Sequence, residues 1–250
     1  ECRFSMINDI HGRDSILVAL TKNTVKNKPD FMVFNGDMAS YMGSIEDIER
    51  DFLKRSSELW ATDVPLVYVR GNHETRGPGF SEFLNLFPTK TNTPCFTFRH
   101  GPVAFVVLDS GEDKPDNDIE YGGTAAYDAY REQIAQWLKQ TIASEEFKSA
   151  PVKIVLMHIP FEKGQGWWGN NELKRLLLPL LNEADVDVML SGHNHSYSYR
   201  EAGTIDGNKF PILVNSNNDR VEVKVTAKEI KMQVKDATGK TLHEKTIAVK

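Results

Sequence analysis

Residues 3–12 read RFSMINDIHG, and this stretch decides the fold. Residues 3–8 include the apolar Phe4, Met6 and Ile7 and have the length of one buried β-strand. Asp9 and His11 follow at once, so a carboxylate and an imidazole stand where the strand ends. A strand that ends in two such side chains predicts a functional site at the edge of a sheet.

The same arrangement, a short apolar run followed by polar residues, recurs at four later places in the chain. The apolar runs, each interpreted as a strand, are residues 31–35, 65–69, 153–157 and 186–190. The polar residues after them are Asp37, then Asn72 with His73 and Glu74, then His158, then His193 with His195. Because sites in open α/β sheets form outside the carboxyl ends of the strands, these residues are expected to meet at one edge.

Helices are expected between these strands, and strands alone near the end of the chain. The predicted helices are residues 15–28, 45–60, 125–147 and 171–184, the last containing Pro179. A hairpin is predicted over residues 95–108, a long polar loop over 109–123, and further strands over 210–214, 221–227, 230–235 and 241–249. The alternation predicts right-handed crossovers and a largely parallel sheet, followed by antiparallel strands. The fold class is therefore α/β, with mixed sheets.

Composition limits the function classes. The chain has 250 residues, of which 40% are hydrophobic and 26% charged, and we expect residues 1–250 to form a single domain. The formal net charge is −5, with no basic face or tail in the sequence. Long nucleic acids are thus disfavoured as partners, whereas a small phosphorylated substrate is compatible.

The sequence leaves the cellular compartment open. Cys2 and Cys95 allow either one disulfide or two unpaired thiols. No run approaches the roughly 20 apolar residues that a membrane span needs, so we expect a soluble protein. The chain begins almost directly on a strand, which suggests a processed protein or an excised domain. An upstream domain or a signal peptide could be missing, and the protein would be periplasmic or secreted if a signal had been removed.

The histidines are concentrated at the strand ends. The chain has seven, and only His100 and His243 lie outside the segments just described. A single Asp after a strand is usually a turn residue, and a single His is usually a surface or hydrogen-bonded core residue. Independent structural roles would not place five histidines so selectively. The joint pattern therefore indicates metal binding.

This ordered series of motifs resembles the calcineurin-like metallophosphoesterase family. The motifs are D-x-H at Asp9 and His11, G-D at Asp37, G-N-H-E at residues 71–74, a lone His158, and G-H-x-H at residues 192–195. The resemblance covers about residues 3–197 and implies a four-layer α/β/β/α sandwich. It also implies a site with two metal ions. Asp9, His11 and His195 would bind the first ion, Asn72, His158 and His193 the second, and Asp37 would bridge the two.

The resemblance implies hydrolysis of phosphate esters, either monoesters or diesters. Imidazole and carboxylate ligands suit Mn²⁺, Fe or Zn²⁺. We expect a metal-bound hydroxide to attack phosphorus, while His73, which is not a ligand, donates a proton to the leaving group or stabilises its charge. The alternatives are a nuclease or nucleotide-specific phosphodiesterase of the same superfamily, and a metal-binding scaffold without catalysis.

Other residues have weaker signals. Glu74 is interpreted as a structural buttress rather than a catalytic group, and Asp109 is equally compatible with supporting the site or with a turn. Candidates for contacting substrate are Arg13, Arg70, Arg76, Trp167 and Trp168, although each also has an ordinary structural interpretation. Purple acid phosphatases of this superfamily use the tyrosine of a GDxxY motif as an iron ligand. Tyr41 lies one residue too late for that pattern, so we predict no tyrosinate ligand.

Overall fold

The structure is a computed structural model and describes residues 1–249. Within this range twelve β-strands form two sheets of six strands each. The strands are β1 Cys2–Ile7, β2 Phe31–Asn35, β3 Leu66–Val69, β4 Phe96–His100, β5 Val103–Leu108, β6 Val152–Met157, β7 Val188–Ser191, β8 Ser198–Arg200, β9 Ile212–Val214, β10 Arg220–Val225, β11 Glu229–Lys235 and β12 Thr241–Ala248. The predicted single domain, 1–250, stays a prediction, and its last residue lies outside the described range.

Both sheets combine parallel and antiparallel strands, which confirms the predicted mixed character. The first sheet has the order β12-β11-β10-β1-β2-β3, and the second has the order β4-β5-β6-β7-β9-β8. Strands β1, β2 and β3 are parallel, and the late strand β10 joins them by pairing antiparallel to β1. In the second sheet β5, β6, β7 and β9 are parallel, and β4 and β8 are antiparallel edges.

Helical segments fill most of the predicted positions, with differences in detail. The α-helices are α1 Asp14–Thr21, α2 Thr24–Asn27, α3 Ile45–Ile48, α4 Lys54–Ser56, α5 Phe83–Leu86, α6 Tyr127–Ile142, α7 Glu145–Lys148 and α8 Trp168–Glu183. Two π-helical stretches, Glu49–Leu53 and Ser57–Ala61, join α3 and α4 into one continuous helical segment. Three 3₁₀ turns cover His73–Thr75, Pro78–Glu82 and Ile119–Tyr121.

Two predicted helices are divided, and one strand was missed. The helix predicted over 15–28 breaks after Lys22, where Asn23 and Thr24 are weak helix formers. The helix predicted over 125–147 ends at residue 142, because the Ser144 side chain accepts a hydrogen bond from Phe147 N and starts α7. Strand β8 has only three residues on a sheet edge, too few to show a periodic pattern.

Three buried clusters separate four layers, which confirms the predicted sandwich. Along β2 successive residues face opposite sides, with Val33 toward the second sheet and Phe34 toward the first-sheet helices. Along β5 Phe105 lies between the two sheets, whereas Val106 packs against α6 and α8. This alternation is the strand period of two, and it buries both faces of each sheet.

The cysteines are both buried free thiols, so the disulfide alternative is wrong. Cys2 lies between the two sheets, and Cys95 lies in the cluster under α6 and α8. Across the described residues, 1–249, none of the helices has the length and apolar character that crossing a membrane requires.

Candidate metal centre

The loops that follow β1, β2, β3, β6 and β7 meet at one edge of the sandwich. They bring the predicted ligands together as groups whose ligand atoms lie within 4.8 Å of one another. We define the outer group as Asp9, His11 and His195. We define the inner group as Asp37, His158 and His193, together with Asn72, whose Oδ1 atom is 3.2 Å from His193 Nδ1. The ligand assignments themselves stay predictions.

The backbone at these residues is unusual. Asp9, His11, Asp37, His193 and His195 all have left-handed φ angles, between 51° and 70°. Such a conformation at a non-glycine residue costs about 1–3 kcal/mol and persists only where the surroundings enforce it. Hydrogen bonds between neighbouring loops do so, since Asp9 N donates to Gly36 O at 2.9 Å and His11 N donates to Asp37 O at 3.0 Å. The strain turns the side chains toward a common centre.

Two glycines allow the loops to approach this closely. A Cβ atom on Gly36 would lie 2.3 Å from the His158 ring, and one on Gly71 would lie 2.2 Å from Asp37 Oδ1. Neither position tolerates a side chain without displacing a predicted ligand. The glycines of the G-D and G-N-H-E motifs therefore serve packing of the site rather than chemistry.

Buried polar atoms without partners test whether a cation fits. Asp9 Oδ1 and His158 Nε2 are shielded from solvent and lack a hydrogen bond of good geometry, although His195 Nε2 lies 3.2 Å from Asp9 Oδ1. The carboxylate oxygen Oδ2 of Asp37 lies 3.1 Å from His158 Nε2. Leaving such atoms unsatisfied costs free energy unless another species binds them. The chemistry of the donors therefore fits metal ions at this edge.

His158 is fixed so that its Nε2 atom faces the centre. Its Nδ1 lies 2.6 Å from the carbonyl oxygen of Asn35, which can only accept, so Nδ1 carries the proton. Burial opposes a charge on this ring, but Asp37 and Asp9 outweigh it and raise the pKa of His158 to about 10. Without a metal, the two carboxylates thus hold a proton on His158.

The outer group is arranged differently. His11 Nε2 and His195 Nε2 lie 3.2 Å apart, and His195 Nε2 is also 3.2 Å from Asp9 Oδ1. Burial lowers the pKa of His11 to about 4, whereas the Asp9 carboxylate raises the pKa of His195. Asp9 is held by Asn8 and by His193 N, which donate to its Oδ2 atom at 2.7 and 2.8 Å. Two imidazole nitrogens and one carboxylate oxygen thus face a common point.

Comparison with known proteins identifies the family. The sequence profile described as Calcineurin-like phosphoesterase matches residues 2–197, well over half of the chain. The chain belongs to this family. The resemblance seen in the motifs is confirmed, and members of the family typically carry a dinuclear metal centre.

Two curated relatives of this phosphoesterase have names that describe phosphatases. Serine/threonine-protein phosphatase CPPED1 of Mus musculus is 27% identical over 182 residues, which covers 69% of this chain and 55% of the relative. Purple acid phosphatase 22 of Arabidopsis thaliana is 24% identical over 213 residues, covering 78% of this chain and 44% of the relative. The chain thus spans about half the length of these relatives.

Solved structures show the same fold. Purple acid phosphatase PPD1 from yellow lupin has a TM-score of 0.67 at 13% identity, covering 99% of this chain and 53% of the lupin chain. GAP50 of Plasmodium, described as the anchor in the inner membrane complex, has a TM-score of 0.64 at 16% identity and covers 100% of this chain and 89% of its own. At such identities the likeness supports the fold alone.

In this phosphoesterase His73 lies beside both ligand groups. Its Nδ1 lies 2.8 Å from the Ser40 carbonyl oxygen and therefore carries a proton, which leaves Nε2 toward the centre. The Nη1 atom of Arg76 lies 3.2 Å from Nε2, and Asp37 Oδ2 lies 3.9 Å away. His73, His11 and Asp37 also form a cluster that could hold an ion, but a guanidinium beside Nε2 disfavours a cation there. This contact supports the prediction that His73 is not a ligand.

Glu74 is a buried connector between loops. Its two carboxylate oxygens accept hydrogen bonds from the backbone N–H groups of Asp37, Met38 and Gly71, each at 2.8 Å. The Tyr68 hydroxyl donates a further bond at 2.9 Å. Burial raises the pKa of Glu74. The interpretation of Glu74 as a buttress agrees with these contacts, which fix the loop that carries Asp37.

The three candidate arginines already have protein partners. Arg13 donates to the backbone oxygens of Asp9, Ile10 and Asn217 and thereby braces the first motif. The side chain of Arg70 pairs with Asp109, whose Oδ2 also accepts a hydrogen bond from Tyr130. The side chain of Arg76 pairs with Glu112 through Nε at 2.6 Å and Nη2 at 2.9 Å. All three guanidinium groups are therefore already bound by protein groups. Asp109 does not only stabilise a turn, since its carboxylate also holds the Arg70 side chain.

A cavity of about 660 Å³ is lined by Arg70 and Arg76 and by none of the predicted ligands. Its wall is aromatic, and Tyr41, Tyr127 and Phe80 contribute to it. Tyr41 is 56% exposed and rests on Gly77, in keeping with the prediction that it is no ligand. The paired tryptophans are also exposed, at 63% for Trp167 and 46% for Trp168, so they are not packed in a core.

Several supporting residues gave no signal in the sequence. The partners of His158 and His73 are the backbone carbonyls of Asn35 and Ser40, which every residue type offers. Glu112 lies inside the polar loop and has no motif around it. Asn8 precedes Asp9 directly, and its polar side chain at the end of an apolar strand is the one signal that could have indicated a supporting role.

Proposed function

We propose that this chain is a metal-dependent phosphatase with a centre for two divalent transition-metal ions. The single observation that carries the proposal is the pair of buried atoms without a well-formed hydrogen bond, Asp9 Oδ1 and His158 Nε2, within a ring of predicted ligands. Membership of the family and the phosphatase names of the curated relatives support it.

The ligand set favours Mn²⁺, Fe or Zn²⁺, because it combines imidazoles with carboxylates and one amide oxygen. When bound, such ions act as Lewis acids toward phosphoryl oxygens and lower the pKa of water. Asp9 and Asp37 are the acidic members, and nearby His158 lowers the carboxyl pKa of both against the opposing effect of burial. With only these two carboxylates, the centre keeps a positive charge that attracts an anionic phosphate.

The chain also provides groups on the leaving-group side. His73 Nε2 lies 3.2 Å from Arg76 Nη1, and Arg76 also lines the aromatic cavity. We infer that, when the leaving oxygen replaces the Arg76 contact at Nε2 and this atom carries a proton, His73 transfers that proton to the oxygen or stabilises its charge. The bond from Nδ1 to the Ser40 carbonyl holds the ring. Glu112 fixes Arg76 next to His73 and neutralises part of its charge.

The cavity bears on the alternative of a nuclease or nucleotide-specific phosphodiesterase. Arg70 and Arg76 are both paired with carboxylates, so the cavity offers no unpaired arginine to a further phosphate of a polyanion. We therefore favour phosphomonoesters whose leaving group carries little charge. The exposed Trp167 and Trp168 remain candidates for contacts with substrate at the rim.

The second alternative is not an enzyme but a metal-binding scaffold. The described fold is shared with an anchor in a Plasmodium membrane complex, so the fold by itself does not imply catalysis. What favours an enzyme is that every predicted ligand position and His73 are filled in this chain. A metal-loaded protein that is inert toward all phosphoesters would favour the scaffold.

The test is a panel of phosphoesters assayed with Mn²⁺, Zn²⁺, Fe²⁺ and Mg²⁺. The panel contains aryl and alkyl monoesters, a bis-aryl diester, a nucleotide and a phosphopeptide. We expect monoester hydrolysis that is lost with a chelator and restored by a transition metal. Faster hydrolysis of the diester or the nucleotide would contradict the choice of monoesters.

The role of His73 is tested by His73→Ala, with His243→Ala as a matched control because His243 stacks on Tyr197 outside the centre. Loss of a general acid lowers turnover by about 10²–10⁴-fold, most strongly for an alkyl ester whose leaving group needs the proton. Metal content should stay the same. Loss of metal from His73→Ala, or equal slowing of alkyl and aryl esters, would contradict the proton-transfer role.

A further inference from the structure

A second set of metal-ligating side chains lies at the opposite edge of the sandwich. Cys2 is the first residue of β1, Asp30 directly precedes β2, and His100 is the last residue of β4. Asp9 follows the other end of β1, seven residues from Cys2, which corresponds to about 23 Å along a strand. This cluster is therefore separate from the candidate metal centre.

The three side chains converge on one point. The Cys2 sulfur, an Asp30 carboxylate oxygen and a His100 ring nitrogen all lie within 4.8 Å of one another. His100 Nε2 is 3.1 Å from Asp30 Oδ2. Ligand atoms around a tetrahedral Zn²⁺ are about 3.4–3.6 Å apart, given its bond lengths to sulfur, nitrogen and oxygen. Small side-chain movements would therefore bring the set to binding distance.

The cluster is built on rigid elements. Asp30 Oδ2 accepts a hydrogen bond from Arg3 N at 2.7 Å, and Asp30 N donates to Arg3 O at 2.7 Å. The His100 ring packs edge-on against Phe31, with 5.8 Å between the ring centroids. Cys2 is fully buried, whereas Asp30 and His100 are partly exposed. The sulfur thus forms the floor of a site that opens to solvent.

A nucleophilic role for this thiol is disfavoured. Burial, and to a smaller degree Asp30, raise the pKa of Cys2 to about 12, so the thiol is neutral at pH 7 and the sulfur is shielded from a substrate. A metal ion reverses this, because a coordinating thiol loses its proton. The thiolate and the carboxylate then balance the charge of a divalent ion.

We propose that Cys2, Asp30 and His100 form a Zn²⁺ site with one open position toward solvent. Thiolate, imidazole and carboxylate are together a ligand set that Zn²⁺ accepts. Cys2 and Asp30 belong to the first sheet and His100 to the second, so the ion would link the two sheets at the edge far from the predicted phosphatase centre. With only three protein ligands the ion would be exchangeable rather than a closed structural zinc, and its link between the sheets is independent of the proposed hydrolysis.

Cobalt is the probe for this site. Co²⁺ replaces Zn²⁺ and gives a thiolate-to-metal charge-transfer band in the near ultraviolet, and the predicted phosphatase ligands include no sulfur. The chain is titrated with Co²⁺ as wild type, Cys2→Ser, His100→Asn and Cys95→Ser. Cys95→Ser is the matched control, since Cys95 is buried among apolar residues away from this cluster. His100→Asn changes a partly exposed side chain and guards against failure of Cys2→Ser to fold.

We expect the band in the wild type and in Cys95→Ser, and no band in Cys2→Ser. His100→Asn should weaken Co²⁺ binding by more than about 10-fold. Removing a residue that merely hydrogen-bonds a metal ligand already lowers metal affinity by about 10–100-fold. Zn²⁺ should raise the melting temperature of wild type more than that of His100→Asn. Absence of the band in the wild type, its survival in Cys2→Ser, or equal cobalt affinity in His100→Asn would overturn the proposal. Phosphatase assays do not enter these outcomes.

Discussion

The inner and outer ligand groups of the metal centre differ in how far water reaches them. The side chain of His158 in the inner group is fully buried, whereas that of His195 in the outer group is 49% exposed. His158 is also held by a short bond to a backbone carbonyl, while the His195 Nε2 atom lies 3.2 Å from Asp9 Oδ1 and from His11 Nε2. Ions held in two such environments should exchange at different rates.

The proposed centre would thus combine a retained ion with an exchangeable one. Electrostatic attraction is stronger where water is excluded, so the inner group should bind its ion more tightly. The outer group is the one more open to water at His195, so the ion proposed for it should be the one that can be replaced. The identity of the outer metal in a preparation should therefore depend on the medium more than that of the inner metal.

The largest effect should come from Asp37→Asn. This substitution should weaken metal binding in both groups together and so remove the difference between them. Metal ions contribute several kcal/mol to stabilising the transition state, so we expect kcat/KM to fall by more than about 1,000-fold. Elemental analysis after gel filtration measures the bound metal, with the exposed Asp63→Asn as a control. Unchanged metal content would contradict the assignment of Asp37 as the bridge.

A paired comparison of His195→Asn with His158→Asn sharpens the difference between the groups. We expect His195→Asn to lose the outer ion, with affinity lower by more than about 10–100-fold, and to retain the inner one. His158→Asn should lose the inner ion and also melt at a lower temperature, because it leaves the Asn35 carbonyl without its buried donor. Chelator competition and thermal melting measure both effects. Loss of the same ion from both variants would remove the distinction.

Proton release should also distinguish the groups. Since the pKa of His158 is raised to about 10, this ring holds its proton below that pH, and an ion entering the inner group must displace it. Inner-group affinity should thus rise by up to about tenfold per pH unit between pH 7 and 9. His11 adds no such dependence, because burial lowers its pKa to about 4. Calorimetry of His195→Asn in buffers of different ionisation enthalpy counts the protons, and zero release would be inconsistent with this account.

The smallest effect is expected from Tyr41→Phe. Tyr41 lies in the aromatic cavity rather than in either ligand group, so the iron-loaded protein should have no tyrosinate band in the visible spectrum. The variant should keep its metal content and spectrum. A visible band in the wild type that disappears in Tyr41→Phe would show that Tyr41 completes one of the groups.

The strand pattern predicted the fold and the composition of the site to a large extent. Apolar runs of strand length, each followed by Asp, Asn or His, are a local property, and parallel strands carry such ends to the same edge. The sequence alone therefore predicted that Asp9, Asp37 and His158 lie close together. Their roles as ligands stay predictions until metal is measured.

Other features could not be predicted because they depend on contacts between distant segments. Arg70 and Arg76 were candidates for binding phosphate, yet each is paired with a carboxylate about 40 residues away, Asp109 or Glu112. Local sequence gives no measure of such pairing. The break after Lys22 was missed for a similar reason, since helical periodicity continues across it while the helix does not.

The α/β class, the family and the set of residues at the predicted metal centre followed from the sequence, because hydrophobic periodicity and motif order are properties of the residue order itself. The tertiary structure alone decided which groups are satisfied and which are left unpaired. It showed that Arg13 braces a loop, that His73 is held by a backbone carbonyl, and that Cys2 meets His100 across two sheets. These relations arise from packing of segments far apart in the chain, where burial and distance, rather than residue type, set the chemistry.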